Sequence, residues 1–594
     1  MNKGFADCLS DLMELADIYE NVNPIAYALI QALAHLLPHF LYARGPRTSD
    51  IGECVKHFRA GRWQRLWNER TKNAGKLRAK RARRVSQPRP RSDGAKDTYA
   101  QKCAKRGNLR KARNILTDDL SLAHGEATVD ALRDLHPLGP DYFNRAHWLS
   151  FEDAKARWAT PEGQEILEQH FSLKAPRAYF QGRPALSAAD IDGWRGKETI
   201  APLFMSGNTA LQEQLRRHLI LPYLYEQFLP EYTGEYAGGK SIVFLKPSGV
   251  GIRPLLCGSA WRRAFAACAA HSIAEAAEKH FTQLSPNFMQ FAGGTKDGTI
   301  LLANLVRSWY DQAVLAGPPT HAAGTLAWAE SLPTFIEIDL KNAFNSACRQ
   351  AAFDALSGVA TKDYIGAGVR SGEALPTLQA LQNFFGYFRN MHDTAAILRF
   401  FDHCGKVHHI FGTQGGQQGD PLEMLRFCLT IHALWCGVMR RFPSARAAAY
   451  ADDGFMHADL LTVLRLLSAL QHAFKVDLGM ELTLHKCKVL IPGLSQDAAN
   501  HAIRSVISSY PELHSLSDMV NDTALARFKV GSRAMTVEDV VKVDGLVCVG
   551  VPIGTPTFVE DWASANIKDL ITDLRKLRVM SDPLIHYHLV RFCG

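Results

Sequence analysis

Apolar and polar positions recur with two different periods along the chain, and the switches between them mark its elements. Residues 25–41 are a nearly continuous apolar run, but Gln31, His35, Pro38 and His39 fall inside it, so it predicts a buried helix rather than a bilayer span. Between 114 and 137, Leu116, Leu120, Leu122, Leu132 and Leu135 recur at helical spacing, and residues 209–220 repeat the pattern up to the break expected at Pro222. The period then shortens. Residues 241–256 read as strand, glycine turn and strand, with Pro247, Gly249 and Gly251 in the turn. Phe335, Ile336 and Ile338 read as a buried strand that stops at Asp339, 425–438 as an apolar helix, and 447–457 as two short apolar runs around an Asp-Asp-Gly turn. Helices first, then strands interleaved with helices, predict a mixed α/β (α+β) chain.

A length of 594 residues exceeds what one hydrophobic core ordinarily supports, so several domains are expected. The net charge of +9 is concentrated between Arg62 and Arg113, where Lys76, Arg78, Lys80, Arg81, Arg83 and Arg84 are among many cations opposed only by Glu69, Asp93 and Asp97. That block, interrupted by Ser-Gln-Pro-Arg-Pro-Arg-Ser at 86–92, predicts a partly disordered arm that contacts phosphate backbones. A solvated tail or a nuclear-import signal is the plainer alternative. The organisation expected is a helical N-terminal region (1–60), the basic segment (61–115), a helical connecting region (116–230) and the strand-bearing remainder. Twelve cysteines without a Cys-x-x-Cys pair or a secretory leader predict reduced thiols and an intracellular setting, nuclear in a eukaryotic host and cytoplasmic otherwise. His403, Cys404, His408 and His409 lie close together but lack finger-type spacing, and they read as ordinary loop residues.

Candidate chemistry starts at Asp452 and Asp453. Adjacent carboxylates at a hairpin tip repel, and a bound divalent cation relieves that repulsion; an Asp-Gly step is equally an ordinary solvated turn. Asp339, at a strand end 113 positions earlier, is able to bring a third carboxylate alongside. Three such groups suit two Mg²⁺ ions roughly 3.5 to 4 Å apart, the arrangement that serves phosphoryl transfer. Lys246 and Arg253, on the neighbouring strands of one hairpin, suit the phosphates of a nucleotide, or are surface cations. The loop Phe-Gly-Thr-Gln-Gly-Gly-Gln-Gln-Gly-Asp-Pro-Leu at 411–422 permits close backbone approach, and Gln414, Gln417 and Gln418 are placed to meet base or sugar edges.

Taken in order, Lys-Pro-x-Gly with Arg-Pro-Leu, Asp-Leu-Lys-Asn-Ala-Phe-Asn, Gln-Gly-Asp-Pro-Leu and Tyr-Ala-Asp-Asp resemble the reverse transcriptase domain, most closely that of non-LTR (LINE-type) retrotransposons. The resemblance covers about 241–492; downstream, Gly-Met-Glu-Leu-Thr-Leu-His-Lys-Cys at 479–487 is similar to the motif that follows the family's catalytic hairpin, and Gly-Val-Pro-Ile-Gly at 550–554 to its primer grip. It implies a right-hand polymerase fold, with fingers and palm over 231–500 and a partial thumb over 501–594. It implies Asp339, Asp452 and Asp453 as catalytic ligands of two Mg²⁺ ions, with Mn²⁺ as a substitute, and Tyr450 beneath the hairpin. It assigns Lys246 and Arg253 to the triphosphate, Phe344 to the gate against a ribose 2′-hydroxyl, Gln418 and Gly419 to template and nucleotide, and Lys486 to pyrophosphate departure. The implied partners are an RNA template, a DNA or RNA primer and deoxynucleoside triphosphates, with no membrane.

The chain departs from the family pattern at Thr483, where asparagine is usual, and at Glu423, where a serine is usual. The closing run 587–594 ends inside a helical pattern, which suggests a truncated product. No stretch resembles an endonuclease, ribonuclease H or zinc-knuckle module. The implied activity is RNA-directed DNA polymerisation; the alternative is an inactive or domesticated remnant that binds nucleic acid without polymerising.

Overall fold

The computed structural model describes residues 3–577, apart from 44–47, 87–92, 106–108, 118–122, 124, 140–142, 185–188 and 247–250. Pro247, Gly249, Leu120, Leu122, most of the proline-arginine run at 86–92, the side chains of Arg78, Lys80, Arg81, Arg83 and Arg84, and 587–594 lie outside the described residues.

Two sheets organise the mixed α/β fold. Their strands, in chain order, are β1 (Gly239–Leu245), β2 (Ile252–Cys257), β3 (Phe288–Gln290), β4 (Pro333–Ile338) and β5 (Ala396–Phe401). They continue with β6 (Val407–Gly412), β7 (Arg446–Tyr450), β8 (Asp453–Asp459), β9 (Lys488–Leu490) and β10 (Val541–Lys542). The smaller sheet has the order β2-β1-β5-β6 and the larger the order β10-β9-β4-β8-β7-β3. The hairpin expected at 241–256 is β1 and β2, paired antiparallel with Phe244 opposite Arg253.

Period-two alternation on the larger sheet separates two cores. Ile336, Ile338, Ala447, Ala449 and Met456 point to one face, packed by Phe427, Ile431, Trp435, Leu464, Leu467 and Phe474 from the helices Pro421–Met439 and Leu460–Leu478. Phe335, Ala448, Phe455 and Leu490 point to the other, under Leu302, Val306 and Trp309 of helix Gly298–Ala316. A hairpin of Gly545–Cys548 and Val551–Gly554 lays Leu546, Cys548 and Ile553 on that second face, and Arg307 donates to the Pro552 carbonyl at 2.9 Å. The stretch similar to a primer grip therefore sits on the face to which Phe335 belongs, and by alternation Glu337 and Asp339 follow it there.

A third core joins Phe5, Leu12 and Leu37 of the N-terminal helices to Trp194, Trp261, Phe265, Phe384 and Leu398, so those helices share their interior with the smaller sheet. Trp194 meets Trp261 edge-on at 5.3 Å. The apolar run at 25–41 is helix Pro24–Leu41, which, with Pro421–Met439, is long and apolar enough to cross a membrane; half of the first and 94% of the second are buried in protein. The basic block, expected as a partly disordered arm, carries the helices Trp63–Ser86, Asp93–Lys105 and Leu109–Thr117. Ala100, Cys103 and Ala104 form an apolar seam at helical spacing, closed by Ala112 and by Leu574 of the last helix, Pro556–Leu577.

Charged side chains hold the irregular segments. Arg349, 2% exposed, donates to the carbonyls of Gly415 (3.0 Å), His392 (3.1 Å), Thr394 (3.1 Å) and Gly412 (2.7 Å), which fastens the glycine loop to helix Arg349–Ser357. Arg349→Leu leaves those carbonyls without donors and is expected to cost about 3 to 5 kcal/mol, visible as a lower melting temperature and a lower denaturant midpoint. Arg349→Lys should recover little, because one ammonium cannot span four acceptors.

Candidate active site

The Asp-Asp hairpin has a two-residue turn. Tyr450 pairs with Asp453, which leaves Ala451 and Asp452 at the tip. Ala451 has φ of 56°, a left-handed conformation that asparagine or glycine normally supplies in such turns. Gln290, fully buried at the end of β3, enforces it. The Ala451 N–H donates to Gln290 Oε1 at 2.9 Å, Gln290 Nε2 donates back to the Ala451 carbonyl at 3.1 Å, and the Ala292 N–H also donates to Oε1, at 3.1 Å. A strained residue persists only where its surroundings over-determine it, and this amide does so. The residues around Gln290 carry no motif that marks it; a polar residue closing an apolar strand is the one available signal.

Antiparallel pairing brings the third carboxylate. Ile338 of β4 lies opposite Gly454 of β8, so one further step sets Asp339 beside Asp453. The carboxylates influence one another strongly. Burial, then Asp453 and Asp339, push the Asp452 carboxyl up to about 6, with Arg253 opposing. Burial and then Asp339 raise Asp453, again against Arg253. A fourth acid, which sequence reading missed, joins them: burial, with Asp453 and Asp339 adding to it and Lys488 opposing, pushes Glu337 up to about 7. Its alternation with apolar neighbours made it look like a solvent-facing strand residue.

The cations converge on the same place. The Lys246 N–H bonds the Gly251 carbonyl at 3.1 Å across the hairpin. Burial first, then Lys486 and Arg253, pull the Lys246 ammonium below its usual range, while Asp339 pulls the other way. Lys486 Nζ stands 3.5 Å from Asp339 Oδ1, and the Thr483 N–H donates to the Asp339 carbonyl at 2.8 Å. Asp339, Asp452, Asp453, Lys246, Arg253 and Lys486, scattered over the sequence, thus share one electrostatic environment. Its acidic side is an all-oxygen donor set, which suits hard divalent cations.

Phe344, Gln418 and Gly419 are tied into this neighbourhood by backbone bonds. The Gly416 N–H donates to the Phe344 carbonyl at 2.7 Å and the Leu256 N–H to the Gln418 carbonyl at 3.0 Å. The Phe344 ring is held by stacking on Phe427 at 4.2 Å. At Gly419, φ is 114° and a Cβ would stand 2.7 Å from the Leu256 carbonyl, so glycine is required there. The other two loop glutamines correct the expectation placed on them. Gln417 is buried, donates to the Ala237 carbonyl and accepts from Arg262 at 2.7 Å; Gln414 accepts from the Arg349 N–H at 3.1 Å. Both brace the loop. Glu423 lies buried beneath Gly416, paired with Arg426 and, at 3.0 Å, with His392. Burial opposes its ionisation, but Arg426 and His392 outweigh that and hold the carboxyl down to about 2.

No family model and no curated protein matches the chain. Among solved structures it is similar to an apo telomerase from Candida tropicalis truncated from the C-terminal domain, at a TM-score of 0.29 and 9% identity, over 71% of this chain and 91% of that one. A TM-score of 0.29 is too low to equate the two folds.

Two outcomes follow from this geometry. Gln290→Ala leaves the Ala451 N–H and carbonyl without partners in a strained turn and is expected to cost about 2 to 4 kcal/mol, measured by thermal melts against the wild type. In chelator, the folded Asp452 carboxyl holds its proton more tightly than the unfolded one, whose value is 3.8 against about 6. Its stabilising contribution is therefore fully present below about pH 4 and is lost as pH rises through about 6. Asp452→Asn should flatten that loss and leave the metal-free protein more stable at neutral pH by about 1 to 2 kcal/mol, after solvent screening of a half-buried group.

Proposed function

We propose that the chain is an RNA-directed DNA polymerase of retroelement origin, which extends a primer 3′-hydroxyl with deoxynucleotides on an RNA template. The observation that carries this reading is the convergence of Asp339, Asp452 and Asp453 with Lys246, Arg253 and Lys486 at one end of β4, β8 and the β1–β2 hairpin. On this reading the larger sheet and its two helices are the palm, the smaller sheet and the helices beneath it the fingers, and the segment after 500 a partial thumb with its primer-grip hairpin. The basic helices near the N-terminus supply sequence-tolerant contacts to phosphate backbones.

The donor set fits Mg²⁺, with Mn²⁺ as a substitute: every acid in it is a hard oxygen ligand, and divalent charge favours the ionised forms of Asp452 and Asp453, which burial and then their mutual repulsion disfavour. Asp339, Asp452 and Asp453 would hold it. When bound, two such ions supply charge stabilisation for an attacking hydroxyl and a leaving pyrophosphate. The chain's own residues do the rest. Lys246 and Arg253 bind the triphosphate, and Lys486, beside Asp339, offers a proton and a positive charge to the departing pyrophosphate. Phe344, held by Phe427, fills the space that a ribose 2′-hydroxyl would need. Gln418 and Gly419 present loop backbone and one side chain to the nucleotide and its template. Glu423, which breaks the family pattern, is paired with Arg426 and His392 under the loop, so its charge is compensated there.

Primer extension on an RNA template with deoxynucleotides and Mg²⁺ tests the reading. The wild type should extend the primer and Asp452→Ala should fall to background while still binding template. Template binding without extension by the wild type would instead establish a nucleic-acid-binding remnant. Phe344→Ala should raise ribonucleotide incorporation relative to deoxynucleotide by about 10- to 200-fold, read from competing kcat/KM values.

A further inference from the structure

We propose that the turn between β5 and β6 is a site for a thiophilic divalent cation, with zinc as its natural occupant, held by Asp402, His403 and Cys404. This inference is independent of the polymerase reading. The turn is tightly built. The Asp402 N–H donates to the Lys406 carbonyl at 3.1 Å, and the Gly405 N–H to the Asp402 carbonyl at 2.9 Å. Gly405 takes the left-handed conformation, φ 81°, that closes such a loop. The Asp402 carboxylate is aimed by the Lys406 N–H at 2.9 Å and, at 3.0 Å, the His408 ring across the ladder, with the Cys404 N–H adding to them.

Within that frame the ligand atoms of Asp402, His403 and Cys404 all lie within 4.8 Å of one another. A tetrahedral zinc site has ligand-to-ligand edges of about 3.3 to 3.8 Å, given Zn–N and Zn–S bonds of about 2.0 and 2.3 Å. His403 is exposed and Cys404 half-buried, so both side chains border solvent at the turn. The sequence showed no second cysteine pair, which excludes a finger but not a three-ligand site with solvent in the fourth position. His408, bonded to the second Asp402 oxygen, is the outer partner that fixes a ligating carboxylate.

Donor chemistry selects the metal. One sulfur, one imidazole nitrogen and one carboxylate oxygen favour zinc over magnesium, the reverse of the all-oxygen cluster around Asp452. Eight of the eleven described cysteines are buried, and burial pushes thiols such as Cys268 and Cys487 up to about 12; Cys404 is one of three that reach solvent. Because β1 and β5 run parallel, the Asp402 turn and the β1–β2 turn project from the same end of the smaller sheet. Zinc there would fix the turn beside β1, the strand that leads to Lys246.

The test uses the full chain stripped with chelator. Cobalt(II) titration should give a thiolate charge-transfer band at one equivalent, removed by zinc but not by excess magnesium. Zinc should also slow alkylation of Cys404, followed by peptide mass spectrometry. Cys404→Ser should abolish the band, His403→Asn and Cys404→Ser should each weaken zinc binding by at least about tenfold, and Asp452→Asn should leave it unchanged. Circular dichroism of both turn variants separates lost ligation from misfolding, and His403 is exposed enough for its variant to fold. Absence of the band, a band that survives Cys404→Ser, or alkylation of Cys404 indifferent to zinc would each overturn the proposal.

Discussion

The site depends on a backbone conformation that its own residue disfavours. Ala451 sits in the left-handed region because Gln290, reaching in from the adjacent parallel strand β3, binds both its N–H and its carbonyl. That turn places Asp452 at the hairpin tip and starts β8 at Asp453; the β4–β8 register then brings Asp339 alongside. Like charges held this close would spread apart on flexible loops. Here a six-stranded sheet with cores on both faces holds them in place, and burial first, then mutual repulsion, raises their proton affinity.

A second layer of organisation comes from buried arginines. The glycine loop at 411–420 makes few ladder bonds of its own, and Arg349 and Arg262 supply donors in their place. Arg262 donates to the carbonyls of Tyr236 (2.7 Å), Ala237 (2.7 Å) and Gly238 (3.1 Å) and to Gln417, and it lies 3.4 Å from Asp420, which accepts from Tyr387 at 2.5 Å. In a low-dielectric interior these bonds are stronger than in water, and they stand in for the ladder bonds the loop lacks. Glu423, paired with Arg426 and His392 beneath Gly416, shows how a buried acid is accommodated in this interior.

What was legible in the sequence was what local pattern determines. The β1–β2 and β7–β8 hairpins, the strand that stops at Asp339 and the helix after the glycine loop all follow from alternation, turn residues and helical spacing. The carboxylates and cations were legible because motif order brings them together. What stayed hidden was the partner of each buried polar group. Nothing local tells that Gln290 clamps a turn, that Gln417 braces Arg262 rather than a base, or that Arg349 faces four carbonyls. The helices of the basic block were hidden for a related reason: their seam of Ala100, Cys103 and Ala104 is completed partly by Leu574, near the far end of the chain.

The two charge clusters also constrain one another. Arg253 lowers the proton affinity of Asp452 and Asp453, and Asp339 supports the charge of Lys246 against burial and its cationic neighbours. Each cluster is therefore a partial counterion for the other. On the proposed reading, a triphosphate that engages Lys246 and Arg253 withdraws their compensation from the aspartates, and the aspartates then bind divalent charge more tightly. The converse follows by linkage: cations on the aspartates free Lys246 and Arg253 for phosphate. Cooperative assembly of metal and nucleotide thus needs no moving lid. It is already contained in an arrangement where neither cluster is fully neutralised by protein alone.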